Sequence, residues 1–404
     1  MASDVSQSAY TDVIDLTSQA QKERRRDEID SGFREPDPPL DEVTINGLSG
    51  RMEQAVRAAG WTELMPVQRK SIPYTLKERD LIVQSQTGSG KTGAFLLPLF
   101  DLMNPDKKEQ QALILTPTRE LARQIHEEFE QMKIATPHTN RLEAALVYGG
   151  VGDEPQIDAL EKGAQLVIGT PGRTLDHLKK GNFDASTVRM LVLDEADEML
   201  SMGFYPDMKE IIGYLPEERA SYMYSATMPP KVRNAAREFL RDPGFLSLSS
   251  DKVSVEEITY RYYLVKPMDK DRVLEKLLEL EEPESALIFA NTKKEVSYLS
   301  EFLSNAGYDI DEMSGDLSQR KREQALDRLR EGTLRLLVAT DVAARGLDIS
   351  NVTQVINYDL PEVPDSYVHR IGRTARAGRE GEAIAFCAPD EADLLRAIEK
   401  LMKI

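Results

Sequence analysis

Between an apolar run ending at Val83 and a helix-like stretch (TGAFLLPLFDLM) lies the turn Gln86 to Thr92, QTGSGKT. A glycine-rich turn in that position points successive backbone N–H groups into one cavity, and the start of the following helix adds positive potential. Lys91 can then reach the β- and γ-phosphates and Thr92 can offer its hydroxyl to Mg²⁺. Gln86, Thr87, Gly88, Ser89, Gly90, Lys91 and Thr92 thus read as a cradle for a nucleoside triphosphate, although Ser85 stands where the usual pattern begins with glycine. A second group, Asp194, Glu195, Ala196, Asp197, follows the run MLVL. A carboxylate at a strand tip facing a phosphate cradle is where Mg²⁺ would be held, which pairs Asp194 with Thr92, and the neighbouring Glu195 can orient or deprotonate the attacking water. Alone, an acidic tetrapeptide after a strand is more often a solvated helix start; the cradle upstream reverses that balance. His126, His138 and His177 show no metal spacing with one another or with Cys387 and receive no role.

Short apolar runs alternating with longer amphipathic stretches must position these groups, a pattern that predicts βαβ units and parallel sheets, hence an α/β fold. The expected strands are Leu81–Val83, Ala112–Leu115, Leu166–Ile168, Met190–Leu193 and Tyr222–Tyr224, then Ala286–Phe289, Leu336–Val338, Gln354–Ile356 and Ala383–Phe386. ALILTPTREL from Ala112 resembles ALIFANTKKE from Ala286: apolar strand, threonine-bearing turn, charged helix start. That favours a duplicated domain. The expected organisation is a flexible arm over 1–40 with room for a short helix around Thr17 to Ile29, a first domain over 41–248, a linker over 249–257 and a second domain over 258–404. The arm is expected because it is charge-mixed and ends in the proline-rich EPDPPL.

The chain has 404 residues, 41% apolar and 30% charged, which excludes a single small domain and a wholly disordered chain. The single cysteine excludes a disulfide framework and fits a reducing compartment. No apolar run approaches the roughly 20 residues of a membrane span, and the start carries no cationic, apolar leader. Cytoplasm is the expected location. A net charge of −18 opposes coating nucleic acid by bulk attraction. Any nucleic-acid role must gather its cations locally.

The chain resembles the DEAD-box family of ATP-dependent RNA helicases from about Glu42 onward. The motifs stand in the family's order: GWTELMPVQ (Gly60 to Gln68), SQTGSGKT, PTRELA (Pro117 to Ala122), Gly149 with Gly150, TPGR (Thr170 to Arg173), DEAD, SAT (Ser225 to Thr227), QRKR (Gln319 to Arg322), ATDVAARGLD (Ala339 to Asp348) and HRIGRTAR (His369 to Arg376). The resemblance implies two RecA-like domains joined by a short linker, ATP and Mg²⁺ as cofactors, and an RNA-dependent ATPase that locally unwinds short duplexes. It implies adenine contacts from Gln68 and Trp61, ribose contact from Asp348, close backbone approach at Gly346, arginine fingers at Arg373 and Arg376, and coupling of His369 to the DEAD segment. RNA phosphates and 2′-hydroxyls would meet Thr118, Arg119, Gly150, Thr170, Gly172 and Arg173, with Gln319, Arg322 and Thr340 in the second domain. Ser225 and Thr227 would link hydrolysis to strand separation through hydrogen bonds to the DEAD carboxylates. Three positions depart from the family: Val43 where an aromatic is common, Trp61 for Phe, and Ala375 for Gly.

The expected partner is RNA gripped without regard to sequence, by a monomer, with no membrane role. An ATP-locked RNA clamp that does not unwind uses the same motifs, and a DNA translocase of the wider helicase group is disfavoured by Gln68 and HRIGRT.

Overall fold

The computed structural model describes residues 33–86, 88–134, 136–248, 258–315, 317–344, 352–374 and 381–402. The possible helix around Thr17 to Ile29 and the expected linker 249–257 lie outside them. The described residues fall into two compact units, 33–248 and 258–402.

In the first unit the strands are β1 (Leu81–Gln84), β2 (Ala112–Leu115), β3 (Ala144–Val147), β4 (Leu166–Gly169), β5 (Met190–Leu193), β6 (Ala220–Ser225) and β7 (Gly244–Ser247). They form one sheet in the order β3-β4-β2-β5-β6-β1-β7, every pairing parallel. Strand periodicity divides the side chains between two cores. Leu81, Val83, Ile114, Ile168 and Val192 face a cluster with Phe95, Phe100 and Phe129, whereas Ile82, Leu113, Val167 and Leu191 face one with Met199, Met208 and Phe239. Helices cover both faces, as an all-parallel sheet requires.

The second unit has β8 (Ile258–Leu264), β9 (Ala286–Phe289), β10 (Ile310–Met313), β11 (Leu336–Ala339), β12 (Gln354–Asn357) and β13 (Gly381–Cys387), in the order β10-β11-β9-β12-β13-β8 and again all parallel. Replacing β8 by β1, and β9 to β13 by β2 to β6, reproduces the first sheet with β7 added at its edge. The two similar segments seen in the sequence occupy equivalent places: Thr118 and Thr292 each cap the helix after β2 or β9, accepting from the N–H of Leu121 at 3.3 Å and of Glu295 at 3.2 Å.

One boundary moves. Residues 33–40, expected in the flexible arm, are bound to the first unit. Phe33 is buried against Phe245, with ring centroids 6.3 Å apart, and the Arg237 guanidinium lies over its ring. The Phe245 N–H donates to the Arg34 carbonyl at 2.8 Å, so this segment occupies hydrogen-bonding sites on edge strand β7. Leu40 N–H donates to the Tyr74 hydroxyl at 2.8 Å. Proline-rich composition denies a helix here, but an extended segment can still pack.

Candidate active site

Ligand sites of open parallel sheets lie beyond the carboxyl ends of the strands, and the first unit places its motifs along that edge in two adjoining groups. Strands β5, β6 and β1 are neighbours, so the DEAD segment, the SAT segment and the glycine turn meet there. The tips of β3, β4 and β2 carry Gly149–Gly150, Thr170–Arg173 and Thr118–Arg119.

The turn is built by left-handed glycines, Gly88 at φ 78° and Gly90 at φ 90°, with Gly90 opening the helix Lys91–Leu102. Ser85 does not adopt positive φ, so glycine is not required there. Its hydroxyl donates to Ser89 Oγ at 2.7 Å, and Ser89 donates to the Gln86 carbonyl at 2.8 Å, which ties the turn to itself. Buried Lys91 donates to the Ser85 carbonyl at 3.1 Å, and Thr92 is half-buried one residue on. Thr87 lies outside the described residues.

Gln68, on the helix Pro66–Leu76, is buried behind this turn. Its amide oxygen accepts from Met65 N–H at 2.8 Å and its amide nitrogen donates to the Gly90 carbonyl at 3.0 Å. An amide has two acceptor lone pairs and two N–H groups, so one of each is left for a base edge. Gly93 is what lets Gln68 and Trp61 reach the turn: a Cβ there would lie 2.3 Å from Trp61 Cη2 and 2.6 Å from Gln68 Nε2. The sequence reading missed Gly93; its signal was a glycine inside a helix, where it costs about 1 kcal/mol unless packing demands it. Val43, where the family commonly has an aromatic, is partly buried against the core.

Asp194 is 2% exposed at the tip of β5 and accepts from Glu195 N–H at 3.0 Å. Burial pushes its carboxyl above the usual carboxylate range, against the nearby Lys91 charge and the Glu195 N–H, with Asp197 adding to the rise. Glu195 sits at φ 52°, ψ 50°, a left-handed conformation that is uncommon for a residue other than glycine. Asp197, given no role from sequence, accepts from both the N–H and the hydroxyl of Thr227, at 2.8 and 2.9 Å. The expected link from SAT to a DEAD carboxylate is therefore made by Thr227. Ser225 does not make it: its hydroxyl donates to the Thr227 carbonyl at 2.7 Å and shapes the turn instead.

The second group is cationic. A Cβ at Gly150, which has φ 86°, would lie 2.3 Å from Arg119 Nη1, and one at Gly149 would meet both Arg119 Nη2 at 3.7 Å and Arg173 Nη2 at 4.0 Å. Two guanidinium groups thus converge on a glycine turn. Thr118 and Thr170 are buried at the adjoining helix starts, and Gly172 opens toward the Asp207 carboxylate. His177, without a role from sequence, is fully buried between Gln156 and Asn182, and burial lowers its pKa.

In the second unit Thr340 is buried at the tip of β11 and accepts from Ala343 N–H at 3.3 Å. Arg322, on the helix Gln319–Arg330, donates to the Ala343 carbonyl at 3.4 Å. His369 is half-buried on the helix Pro364–Ile371 and Arg373 is buried just past its end. The Gln319 side chain, Gly346, Asp348, Ala375 and Arg376 lie outside the described residues. Arg370, passed over in the sequence, is 1% exposed and ties the strand tips together. It pairs with Asp341 through two bonds of 2.6 and 2.8 Å, donates to Asn291 at 2.8 Å and to Asn357 at 3.2 Å, and lies over the Phe289 ring. Arg370→Gln removes the donor that Asn291 and Asn357 share, while Asp341 keeps about a quarter of its side chain exposed to water. It is expected to destabilise the second unit by about 1–3 kcal/mol, read as a lower denaturant midpoint.

Family models for a DEAD/DEAH box helicase and for a helicase conserved C-terminal domain match residues 65–235 and 269–378. The chain is 43% identical over 357 residues to the DEAD-box ATP-dependent RNA helicase CshA of Geobacillus kaustophilus, covering 88% of this chain and 76% of that one. The chain belongs to the DEAD-box family of ATP-dependent RNA helicases. Bacillus subtilis CshA is 42% identical, with 88% and 71% covered. Among solved structures, Saccharomyces cerevisiae Dbp5 bound to RNA and ADP BeF3 is similar with TM-score 0.79 and 34% identity, covering 88% of this chain and 91% of that one. Mss116p bound to ssRNA and AMP-PNP is similar with TM-score 0.81 and 30% identity, with 92% and 80% covered. The two parallel sheets are thus the RecA-like domains of a DEAD-box helicase, an enzyme that uses nucleotide and binds RNA. No helix among the described residues is long and apolar enough to cross a membrane.

Proposed function

We propose that this helicase hydrolyses ATP on the β5-β6-β1 tips of its first unit and grips RNA by its backbone on the β3-β4-β2 tips beside them. The adjacency of those two groups on one sheet edge is the observation that carries the proposal. Gln68, with one lone pair and one N–H to spare, is assigned to the adenine edge. The turn 86–92 receives the phosphates, with Lys91 moving from the Ser85 carbonyl to their oxygens. Glu195 orients the attacking water, and Arg373 and Arg376 are assigned to the charge on the γ-phosphoryl group. The Thr227–Asp197 bond offers a direct route from the nucleotide edge to the SAT segment.

Mg²⁺ fits the oxygen donors Thr92 and Asp194. No group of three or more His, Cys, Asp or Glu among the described residues could hold a metal, and Mg²⁺ keeps several waters and binds with substrate phosphates rather than in an all-protein cage. Bound there, it would neutralise charge on the β- and γ-phosphates.

On the RNA side, Arg119 and Arg173 flanking Gly149 suit phosphate, and Thr118, Gly150, Thr170, Gly172, Gln319, Arg322 and Thr340 complete the assignment. Backbone contacts of this kind tolerate sequence, and contacts to the 2′-hydroxyl distinguish RNA from DNA. All motifs lie in one chain, which supports action as a monomer, and buried, free Cys387 suits a reducing cytoplasm. A strand-displacement assay on a short RNA duplex tests the proposal. ATP-dependent displacement, with ATPase stimulated by RNA and not by DNA, is the expected result. ATP-dependent RNA retention without displacement would replace unwinding by clamping.

A further inference from the structure

The converging guanidinium groups already meet a carboxylate. Arg173 Nη1 donates to Asp153 Oδ1, and Lys180 Nζ lies 3.4 Å from Asp153 Oδ2 while also bonding Asp176 at 2.8 Å. Asp153 is the residue before the helix Glu154–Glu161, where an aspartate ordinarily accepts from an N–H of the first turn. Here its side chain caps nothing. The carboxylate is turned away from its own helix and onto Arg173, three residues after Gly150, in the turn that Arg119 also approaches. Like a phosphate, it offers anionic oxygens to cations, one to the Arg173 guanidinium and the other to the Lys180 ammonium.

We propose that Asp153 sets the RNA affinity of this helicase by occupying, in the RNA-free protein, the place on Arg173 that an RNA phosphate takes. This rests on the assignment of Arg173 to RNA made above. Binding is then an exchange of one anion for another, and RNA gains only the difference between phosphate and carboxylate at that position. A neutral isostere removes the competitor and adds one unit of net positive charge to the groove. Each phosphate neutralised on a single strand contributes about −0.7 to the slope of log affinity against log salt.

The test compares Asp153→Asn, Arg173→Gln and the double variant in the full chain, by fluorescence titration of a single-stranded RNA and of a single-stranded RNA in the presence of a non-hydrolysable ATP analogue, over a range of KCl. Asp153→Asn is expected to tighten RNA about fivefold to tenfold, to steepen the salt slope by about 0.7, and to lower the RNA concentration that half-saturates the ATPase, with kcat and the KM for ATP unchanged. Arg173→Gln is expected to weaken RNA, and in its background Asp153→Asn is expected to bring no gain, because the two effects act through one contact. A residue that merely held Arg173 in place would show the opposite sign, weaker RNA in Asp153→Asn. That outcome, or unchanged RNA affinity, with Arg173→Gln still weak, overturns the proposal and leaves the assignment of Arg173 intact. Unchanged affinity in Arg173→Gln overturns both. Asp153 is partly exposed and caps no helix, so folding is expected to survive, which an unaltered thermal midpoint checks.

Discussion

Glu195→Gln is expected to lose about 10²- to 10⁴-fold in RNA-stimulated phosphate release, the range in which a positioned acid or base contributes, while ATP and RNA still bind. The substitution keeps the size of the side chain and removes its basicity. It also leaves the backbone argument unchanged, since glutamine meets the same steric limits as glutamate at φ 52°, ψ 50°. Loss of turnover with retained binding therefore isolates the carboxylate's chemistry. Single-turnover phosphate release, with nucleotide and RNA titrations alongside, checks this; turnover equal to the parent chain would take Glu195 out of the reaction.

Gly93→Ala is expected to raise the KM for ATP about tenfold or more and to blur the preference for ATP over GTP. Two effects oppose one another. Gly93 lies within the helix Lys91–Leu102 and has no positive φ, so alanine gains about 1 kcal/mol of helix propensity. Against that, its methyl would stand 2.3 Å from the Trp61 ring and 2.6 Å from the Gln68 amide, and such overpacking costs about 1–3 kcal/mol. The clash is relieved by moving the two side chains assigned to adenine, so the loss should appear in nucleotide affinity rather than in melting temperature; about 1.4 kcal/mol is a tenfold change. Steady-state KM values for ATP and GTP beside a thermal melt decide it. An unaltered KM would mean that Trp61 and Gln68 yield without consequence.

The nine strands expected from sequence are the nine interior strands of the two sheets. The four that went unrecognised, β3, β7, β8 and β10, are the sheet edges. An interior strand of a parallel sheet is buried on both faces and reads as an unbroken apolar run, as LVIG in β4 and ALIF in β9 do. An edge strand has company on one side only: β10 is IDEM, with one of its four residues buried. Its place is dictated by the helix Lys293–Asn305 and by β11, not by its own composition. The site divides in the same way. Lys91, Asp194 and Thr118 could be found because backbone turns and strand tips fix them locally. Gly93 mattered only through Trp61 and Gln68, Arg370 only through three other segments, and Asp153 only through Arg173. The bound segment 33–40 was misplaced for the same reason, since its anchor, Phe245, is remote in the chain.

Strand β1 lies between β6 and β7, paired to Tyr222 and neighbours on one side and to Gly244 and neighbours on the other. During synthesis at about 5–20 residues per second, the ribosome emits β1 roughly ten to thirty seconds before its last partner. For most of that interval, until β6 emerges, an apolar strand and the glycine turn behind it lack both neighbouring strands, and such unpaired segments are prone to aggregate. The glycine turn of the nascent enzyme thus gains its neighbouring strand tips only near the end of the first unit's synthesis.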